Sequence, residues 1–213
     1  KISPLKNNLS PDIVPNLFDP LKCMHAGEAF IKENNLHEEK FSLLILGGNG
    51  IGYKYDKHEW DEILKNFSDF CQQSNTKPLF ITSPRTPNEV ESIIQSKYDT
   101  SFSVLFHSEN KRGSFPHLLH IATNIFVTED SSTMLSEAIS SGKRVACIYP
   151  KNINAPEKYI EIIRKYEALN FIKRRSINEI SDGTFDEIID ISLKVNQSFA
   201  EFNKLLIKLL FDR

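Results

Sequence analysis

Short apolar runs alternate with amphipathic segments through the middle of the chain. Five runs are almost continuously apolar, as expected for strands covered on both faces of a sheet: residues 41–46, 78–82, 102–106, 124–127 and 144–149. The segments between them carry apolar residues at helical spacing. Strands separated by helices need crossover connections, so the pattern predicts an α/β fold with a Rossmann-like parallel sheet and helices on both faces.

Capping patterns predict where two of the helices begin. Asp56 and Glu59 have the spacing of a capping box, in which each side chain accepts a backbone N–H of the other. Thr86 and Glu89 repeat that spacing, with Pro87 at the first helical position. Both helices are therefore expected to start directly after a strand-exit loop.

The two ends of the chain differ from its middle. The first 20 residues carry four prolines and few periodic apolar residues, and Asp19-Pro20 then predicts a helix start. We expect residues 1–35 to be a linker with a lead-in helix. Residues 36–213 are expected to form the Rossmann-like domain, whose amphipathic tail over 185–211 is one long helix or two joined ones.

Composition is that of an ordinary globular protein. The 213 residues are 40% apolar and 25% charged with a net charge of −2, so no global field attracts nucleic acid and we expect no nucleic-acid partner. The densest basic cluster, 173–175, is interpreted as a solvated helix end, with a polyanion site as the alternative. No apolar run approaches the length of a membrane span.

The cysteines and the first residue of the chain indicate the compartment and the extent of the protein. Cys23, Cys71 and Cys147 follow no metal or redox spacing, so they are interpreted as buried apolar residues in a reducing, cytoplasmic compartment. We expect no metal and no resident cofactor. The chain begins with Lys1 and shows no signal peptide, which favours a portion of a longer protein.

Glycine and polar residues cluster directly after the predicted strands. The carboxyl ends of parallel strands share one edge, where open α/β sheets bind ligands, so these segments are expected to line one cleft. The candidate binding residues with this position are Gly47, Gly48, Asn49, Ser83, Arg85, Thr86, Glu129, Asp130, Ser131 and Ser132. A further polar loop, 107–113, opens on the same edge.

Two of these segments have alternative interpretations. The Gly47–Gly50 loop allows a phosphate close to the backbone, but it matches neither the dinucleotide fingerprint nor the phosphate loop, and it is equally a tight turn. Arg85 can hold a phosphate with two hydrogen bonds or can pair with a neighbouring acid.

The segment after the fourth strand is the most informative. Glu129, Asp130 and a run of hydroxyl residues precede a helix predicted over 131–141, whose first amides favour an anion. Part of that polarity must cap the helix. Glu137 lies one to two turns further on, where a carboxylate can accept both hydroxyls of a ribose; the alternative is a solvated helix position.

Three motifs in order resemble one protein family. They are Leu46-Gly47-Gly48-Asn49-Gly50, the Thr82–Pro87 segment Thr-Ser-Pro-Arg-Thr-Pro, and the block from Val127 to Lys143 with its Thr-Glu-Asp-Ser and Ser-Glu-Ala sequences. They resemble the mitochondrial-fission elongated-mitochondria protein family, whose bacterial members are usually labelled nucleoside-diphosphate-sugar epimerase-like proteins. The resemblance covers roughly residues 41–150. It implies the C-terminal, donor-binding domain of GT-B glycosyltransferases.

The resemblance also implies roles for single residues. Glu137 corresponds to the acid that binds the nucleotide ribose, and the turn from Asp130 to Ser132 corresponds to the diphosphate site. Gly47 and Gly48 would lie beside the phosphates. The acceptor contacts and the general base of such enzymes come from an N-terminal domain that this chain lacks, so no catalytic residue can be named.

These implications lead to two functional hypotheses. The first is a nucleotide-sugar-binding domain of a GT-B-like glycosyltransferase, whose partners are the sugar donor, its missing N-terminal domain and, through the acceptor, a membrane surface. The alternative is a non-catalytic scaffold or adaptor that keeps the fold. The sequence leaves open the base, the sugar, the acceptor, the stereochemical outcome and the oligomeric state.

Overall fold

The computed structural model describes residues 11–16, 18–108, 113–182 and 191–211. The strands are β1 (Phe41–Leu46), β2 (Tyr53–Lys54), β3 (Lys77–Thr82), β4 (Ala122–Thr128), β5 (Arg144–Tyr149), β6 (Asn152–Ile153) and β7 (Lys173–Ser176). The helices are α1 (Pro20–Asn34), α2 (Lys57–Gln73), α3 (Asn88–Lys97), α4 (Phe115–Ile121), α5 (Ser132–Ser140), α6 (Glu157–Ala168) and α7 (Ser192–Phe211).

The main sheet has five strands in the order β3-β1-β4-β5-β7, and every neighbouring pair is parallel. This confirms the predicted α/β fold with a parallel sheet. All six residues of β1 are buried, which is what a continuous apolar run in a sheet covered on both faces requires. A separate two-stranded antiparallel sheet pairs β2 with β6.

The strand predicted over 102–106 is reduced to a single bridge. Val104 exchanges backbone hydrogen bonds with β3, donating to Phe80 and accepting from Thr82, and forms a parallel bridge with Ile81. On either side of this bridge, side-chain hydrogen bonds replace the backbone ladder. Ser103 Oγ accepts the Phe80 N–H, and Thr82 Oγ1 accepts the Phe106 N–H. Counting this remnant, the strand order is that of a Rossmann fold.

The handedness of the connections between parallel strands determines on which face of the main sheet each helix packs. The chain steps outward from β1 to β3, returns to β4, and steps outward in the other direction to β5 and β7. Right-handed crossovers place α2 and α3 on one face and α4 to α6 on the other. The rings of Phe67 and Phe70 on α2 meet Phe126 of β4 edge to face, at 5.3 and 4.8 Å between centroids. The strand order reverses between β1 and β4, where open sheets bind ligands.

One predicted helix start is confirmed and the other is wrong. Asp56 and Glu59 form the predicted capping box, with N–H to carboxylate distances of 2.8 and 3.0 Å. Helix α3 begins at Asn88 with Pro87 as N-cap and no side-chain cap. The Thr86 hydroxyl is instead engaged with the backbone of β1, because that buried carbonyl edge offers it long-range partners.

The lead-in segment packs against the domain. Asp19 caps α1 through the amides of Leu21 and Lys22, as predicted. Ahead of that helix, Ile13 is 2% exposed within the core, and the Val14 N–H donates to the Tyr166 hydroxyl at 3.0 Å. The three cysteines are buried, as predicted, and carry free thiols.

The basic run at 173–175 is an edge strand, and its interpretation as a solvated helix end is wrong. It forms β7, in register with β5, and Arg175 is 8% exposed. The predicted tail helix begins at Ser192 in the described ranges, while 183–190 lies outside them. Within those ranges no helix combines the length and the apolar character needed to cross a membrane.

Candidate functional site

The carboxyl ends of β1 and β4 are joined at the switch point. The backbone N–H of Gly47 donates to Thr128 Oγ1 at 2.7 Å, and the N–H of Gly48 donates to Asp130 Oδ2 at 2.9 Å. These hydrogen bonds join residues that are 81 and 82 positions apart in sequence, and they hold together the exit loops of two adjacent strands. The structure thus brings the predicted glycine loop onto the predicted polar turn.

Close approach explains both glycines. A Cβ on Gly47 would overlap the Asp130 carboxyl group, and a Cβ on Gly48 would overlap the carbonyl of Arg85. The three exit loops after β1, β3 and β4 can meet here because neither position carries a side chain. Gly50 is different, since its Cβ would face the flexible end of the Arg85 side chain at 3.0 Å.

Ser83 and Thr86 hold the loop after β3 against the end of β1. The Ser83 hydroxyl donates to the Gly47 carbonyl at 2.7 Å. The Thr86 hydroxyl lies 2.8 and 2.7 Å from the carbonyl oxygens of Leu46 and Gly47, and it accepts the Ser83 N–H at 2.9 Å. Both predicted site residues are buried, so their hydroxyls position the rim of the site.

Arg85 extends from that loop across to the turn after β4. Its Nη2 lies 2.8 Å from Asp130 Oδ2. The Asp130 side chain is fully buried, whereas the Arg85 side chain is 44% exposed. Of the two predicted roles for Arg85, the structure shows the pair with a neighbouring acid. Because the guanidinium also faces solvent at the switch point, it remains accessible to a phosphate.

Asp130 is an incompletely satisfied buried acid. Its Oδ2 accepts from both Gly48 and Arg85, while its Oδ1 is buried and has no hydrogen-bond partner in the described part of the chain. Burial raises the pKa of Asp130, and this outweighs the opposing effect of Arg85 and the neighbouring donors.

Glu129 points away from this group of residues, toward β7. Its carboxylate accepts two hydrogen bonds from Arg174, each 2.7 Å long, and a third from the Tyr53 hydroxyl at 2.6 Å. The Arg174 guanidinium also lies over the Tyr149 ring, 4.5 Å from its centroid. The predicted site residue Glu129 is thus fully buried, and its carboxylate is engaged by donors of the protein itself, which include the Cys147 thiol at 3.6 Å.

Asn49 supports the loop that carries it. Its side-chain oxygen accepts the Tyr55 N–H at 2.9 Å, although the residue itself is exposed. Next to it, β2 pairs with β6, and Glu59 Oε1 accepts the Lys151 N–H at 2.8 Å. These bonds join the loop after β1 to the loop after β5 on the same edge of the sheet.

The N-terminus of α5 has free hydrogen-bond donors. Ser131 is the N-cap but makes no side-chain cap bond, and its hydroxyl has no partner among the described residues. The amides of Ser132 and Thr133, in the first helical turn, also lack an acceptor in the ranges described. The predicted diphosphate segment therefore presents unused donors and the positive end of a helix dipole.

Glu137 is partly buried one to two turns into α5. Its carboxylate forms no hydrogen bond or ion pair within the described ranges, and burial raises its pKa. Helix side chains lean toward the N-terminus, which directs the Glu137 side chain toward the turn that holds Thr133 and Met134. An ionisable group with this burial and no partner is a candidate for ligand contact.

Two buried or half-buried charged positions escaped sequence reasoning. Arg174 belongs to a basic run whose pattern is typical of solvated surface, and its acid lies 45 residues away. Glu91 is 3% exposed on α3, where it accepts a bond from the Thr82 hydroxyl and from the His107 N–H. It thereby anchors the start of the polar loop predicted over 107–113, of which 109–112 lies outside the described ranges. Its position on the inner face of a helix was the available clue.

The described ranges contain no cluster of three or more His, Cys, Asp or Glu side chains suited to hold a metal ion. The polar atoms that face one another at the switch point are those of one carboxylate, one guanidinium and several backbone amides. That donor set is suited to an anion.

Comparison with solved structures finds similarity to glycosyltransferases. A glycosyl transferase family 9 protein from Veillonella parvula matches with a TM-score of 0.43 and 11% identity, covering 85% of this chain and 51% of its own. ADP-heptose LPS heptosyltransferase II of E. coli matches with a TM-score of 0.42 and 11% identity, over 83% and 52% of the two chains. The UDP-forming α,α-trehalose-phosphate synthase of Burkholderia vietnamiensis matches with a TM-score of 0.45 and 9% identity, over 91% and 48%.

Sequence comparison gives a closer relationship. The uncharacterised protein RP120 of Rickettsia prowazekii (strain Madrid E) is 30% identical over 178 residues, which are 76% of this chain and 49% of the relative. The chain thus spans about half the length of the curated relative that it matches. The family described as Mitochondrial fission ELM1 matches residues 3–197. The chain therefore belongs to the Mitochondrial fission ELM1 family.

Proposed function

We propose that this domain binds the nucleoside diphosphate part of a nucleotide-sugar donor, as the donor-binding domain of a GT-B-like glycosyltransferase. The observation that carries the proposal is the meeting of three exit loops at the switch point, where Gly48, Arg85 and Asp130 are in direct contact. The free donors of Ser131 and Ser132 lie in the same turn.

Each group has a role suited to its chemistry. The first amides of α5 and the Ser131 hydroxyl would hold the diphosphate, with Arg85 as the mobile cation. Glu137, which lacks a protein partner, would accept the ribose hydroxyls. Gly47 and Gly48 let the three exit loops meet closely, and their backbone would lie beside the phosphates.

The reaction would be displacement at the anomeric carbon, with the nucleoside diphosphate as leaving group. Charge develops on that leaving group, and a helix N-terminus together with a guanidinium would stabilise it. The acceptor site and the general base would be supplied by the part of the longer relatives that this chain does not span.

A second candidate function is a scaffold or adaptor that retains the fold. The exposed apolar side chains on α7 favour it, since Leu193 is 67% and Ile207 is 58% exposed on nearly the same side of the helix. A protein of this kind would use α7 for docking and would leave the switch point without a nucleotide.

Thermal unfolding with UDP, GDP, ADP and CMP separates the two. A ligand at 100 times its Kd stabilises the native state by about 2.7 kcal/mol, which raises Tm by about 5–10 °C for a chain of this size. The variant Glu137→Ala should lose the response, while the exposed Glu157→Ala on α6 should keep it. No response to any of the four nucleotides, or an unchanged response in Glu137→Ala, would contradict the proposal.

A further inference from the structure

The charge of Asp130 depends on one side chain. Arg85 Nη2 and the Gly48 N–H share Oδ2, at 2.8 and 2.9 Å, while Oδ1 is buried without a partner in the described chain. A buried carboxylate that keeps only neutral donors, here the Gly48 amide and the Thr128 side chain, is disfavoured relative to its protonated form. Removal of Arg85 therefore raises the pKa of Asp130 further.

The other ionisable groups around Asp130 do not replace Arg85. Tyr55, Tyr159 and Cys147 interact with Asp130 from three other elements, and burial raises the pKa of each, so they remain neutral. The adjacent Glu129 is neutralised by its own bidentate pair with Arg174. Within the described ranges, Arg85 is thus the cation in contact with this acid.

Arg85 is also the movable member of the pair. Its side chain is 44% exposed, whereas Asp130 is fixed in a fully buried position under Gly47. The turn that follows Asp130 carries the free Ser131 hydroxyl and the unused first amides of α5. An anion held by those donors competes with Asp130 for the guanidinium, since both offer oxygen atoms to the same fork of N–H groups.

We propose that Arg85 and Asp130 form an exchangeable latch, in which an anion bound at the first turn of α5 draws Arg85 away and Asp130 takes up a proton from solvent in its place. This rests on the anion site of the proposed function, whichever anion fills it, and adds its regulation. The carboxylate becomes a neutral carboxylic acid, and Arg85 keeps its charge. Anion binding is therefore tighter at lower pH, by up to about tenfold per pH unit for one proton.

Carbon-13 NMR of Asp-labelled protein tests the latch directly. The Asp130 carboxyl resonance, assigned through its own backbone, is followed as pH is varied. In Arg85→Gln without ligand, the pKa of Asp130 should rise by about 1–3 pH units, because an opposite charge is lost. Arg164→Gln removes the guanidinium of an exposed pair with Glu157 and should leave the resonance unchanged.

Anions are then added to the wild-type protein, which needs no variant to fold. Sulfate, pyrophosphate and the four nucleotides are each compared with chloride at equal ionic strength. At least one of these anions should shift the Asp130 titration of the wild-type protein toward the titration seen in Arg85→Gln. The same anion should not shift the Asp130 titration of the Arg85→Gln variant. The latch is wrong if Arg85→Gln leaves the titration in place, or if none of the six anions moves it.

The outcomes separate the latch from the proposed function. If a nucleotide raises Tm while the Asp130 titration stays in place, the latch is refuted and nucleotide binding stands. If sulfate or pyrophosphate moves the titration while no nucleotide raises Tm, the latch stands and the proposed function is refuted.

Discussion

The Glu129 carboxylate and the Arg174 guanidinium face each other with two parallel hydrogen bonds of 2.7 Å. The Glu129 side chain is completely buried, and that of Arg174 is 23% exposed. Burial lowers the pKa of Arg174, but the hydrogen bond to Glu129 and the charges of Glu129 and neighbouring groups together more than compensate, and the net pKa is raised. This pair joins the turn after β4 to the edge strand β7, and it fixes the backbone on which the neighbouring Asp130 sits.

Arg174→Met should unfold the protein more easily, because it leaves a buried carboxylate without its cation. The expected loss is about 3–5 kcal/mol in the free energy of unfolding. Urea denaturation measures it, and Arg164→Met, at an exposed ion pair, should cost less than about 1 kcal/mol. The double variant Glu129→Gln/Arg174→Met should recover part of the loss; equal losses in the single and double variants would refute the pairing.

Glu137→Gln should stabilise the ligand-free protein slightly and abolish its nucleotide response. Burial raises the folded pKa of Glu137 above its ordinary value of 4.5, so ionisation costs stability above the folded pKa. The gain in Tm at pH 7, on the order of 1 °C for this partly exposed group, should diminish as pH falls through the folded pKa and vanish well below 4.5, where both states are protonated. Thermal scans from pH 4 to pH 8 measure it. A gain that persists at pH 4 would mean that ionisation is not its cause.

Gly47→Ala should destabilise the native state by about 1–3 kcal/mol, because its Cβ overlaps the Asp130 carboxyl group. Gly50→Ala is the matched control, since its Cβ meets the flexible end of Arg85 and the change should be small. Combining Gly47→Ala with Asp130→Ala removes the overlap. Chemical denaturation should therefore show that the double variant loses less free energy of unfolding than the two single variants lose together. Additive losses would contradict the close approach.

Thr86→Val should cost about 1–3 kcal/mol, because the buried Ser83 N–H loses its acceptor. Ser92→Ala is the comparison, since it removes an exposed hydroxyl from the same region with an expected change within about 0.5 kcal/mol. Amide hydrogen exchange of Ser83 provides a second readout, and it should accelerate in Thr86→Val only. Equal behaviour of the two variants would show that the Thr86 hydroxyl does not hold the loop.

Local and periodic features of the chain predicted much of this arrangement. The continuous apolar runs predicted a parallel sheet, and the rule that its exit loops share one edge predicted the meeting of Gly47 with Asp130. The Asp56–Glu59 capping box was predictable because both partners lie within one helical turn.

Long-range partners decided the positions that sequence reasoning missed. Thr86 has the spacing of a cap, yet the carbonyls at the end of β1, 39 and 40 residues away, take its hydroxyl. Arg174 lies in a run without apolar alternation, and it becomes a strand residue through pairing with β5 and Glu129. Contacts of this kind have no local sequence pattern, so neither could be predicted from the residues around them.

The strand β3 also determines how the sheet ends. Phe80 and Thr82 direct their amides to its outer side, where Ser103 and Val104 accept them. The backbone nitrogen of Pro78 faces the same outer side of the strand, and it carries no hydrogen to donate. The exposed Lys77 adds a charge at the start of the strand. A second copy of the chain consequently finds no continuous row of donors there on which to extend the sheet, so this edge is protected against edge-to-edge pairing.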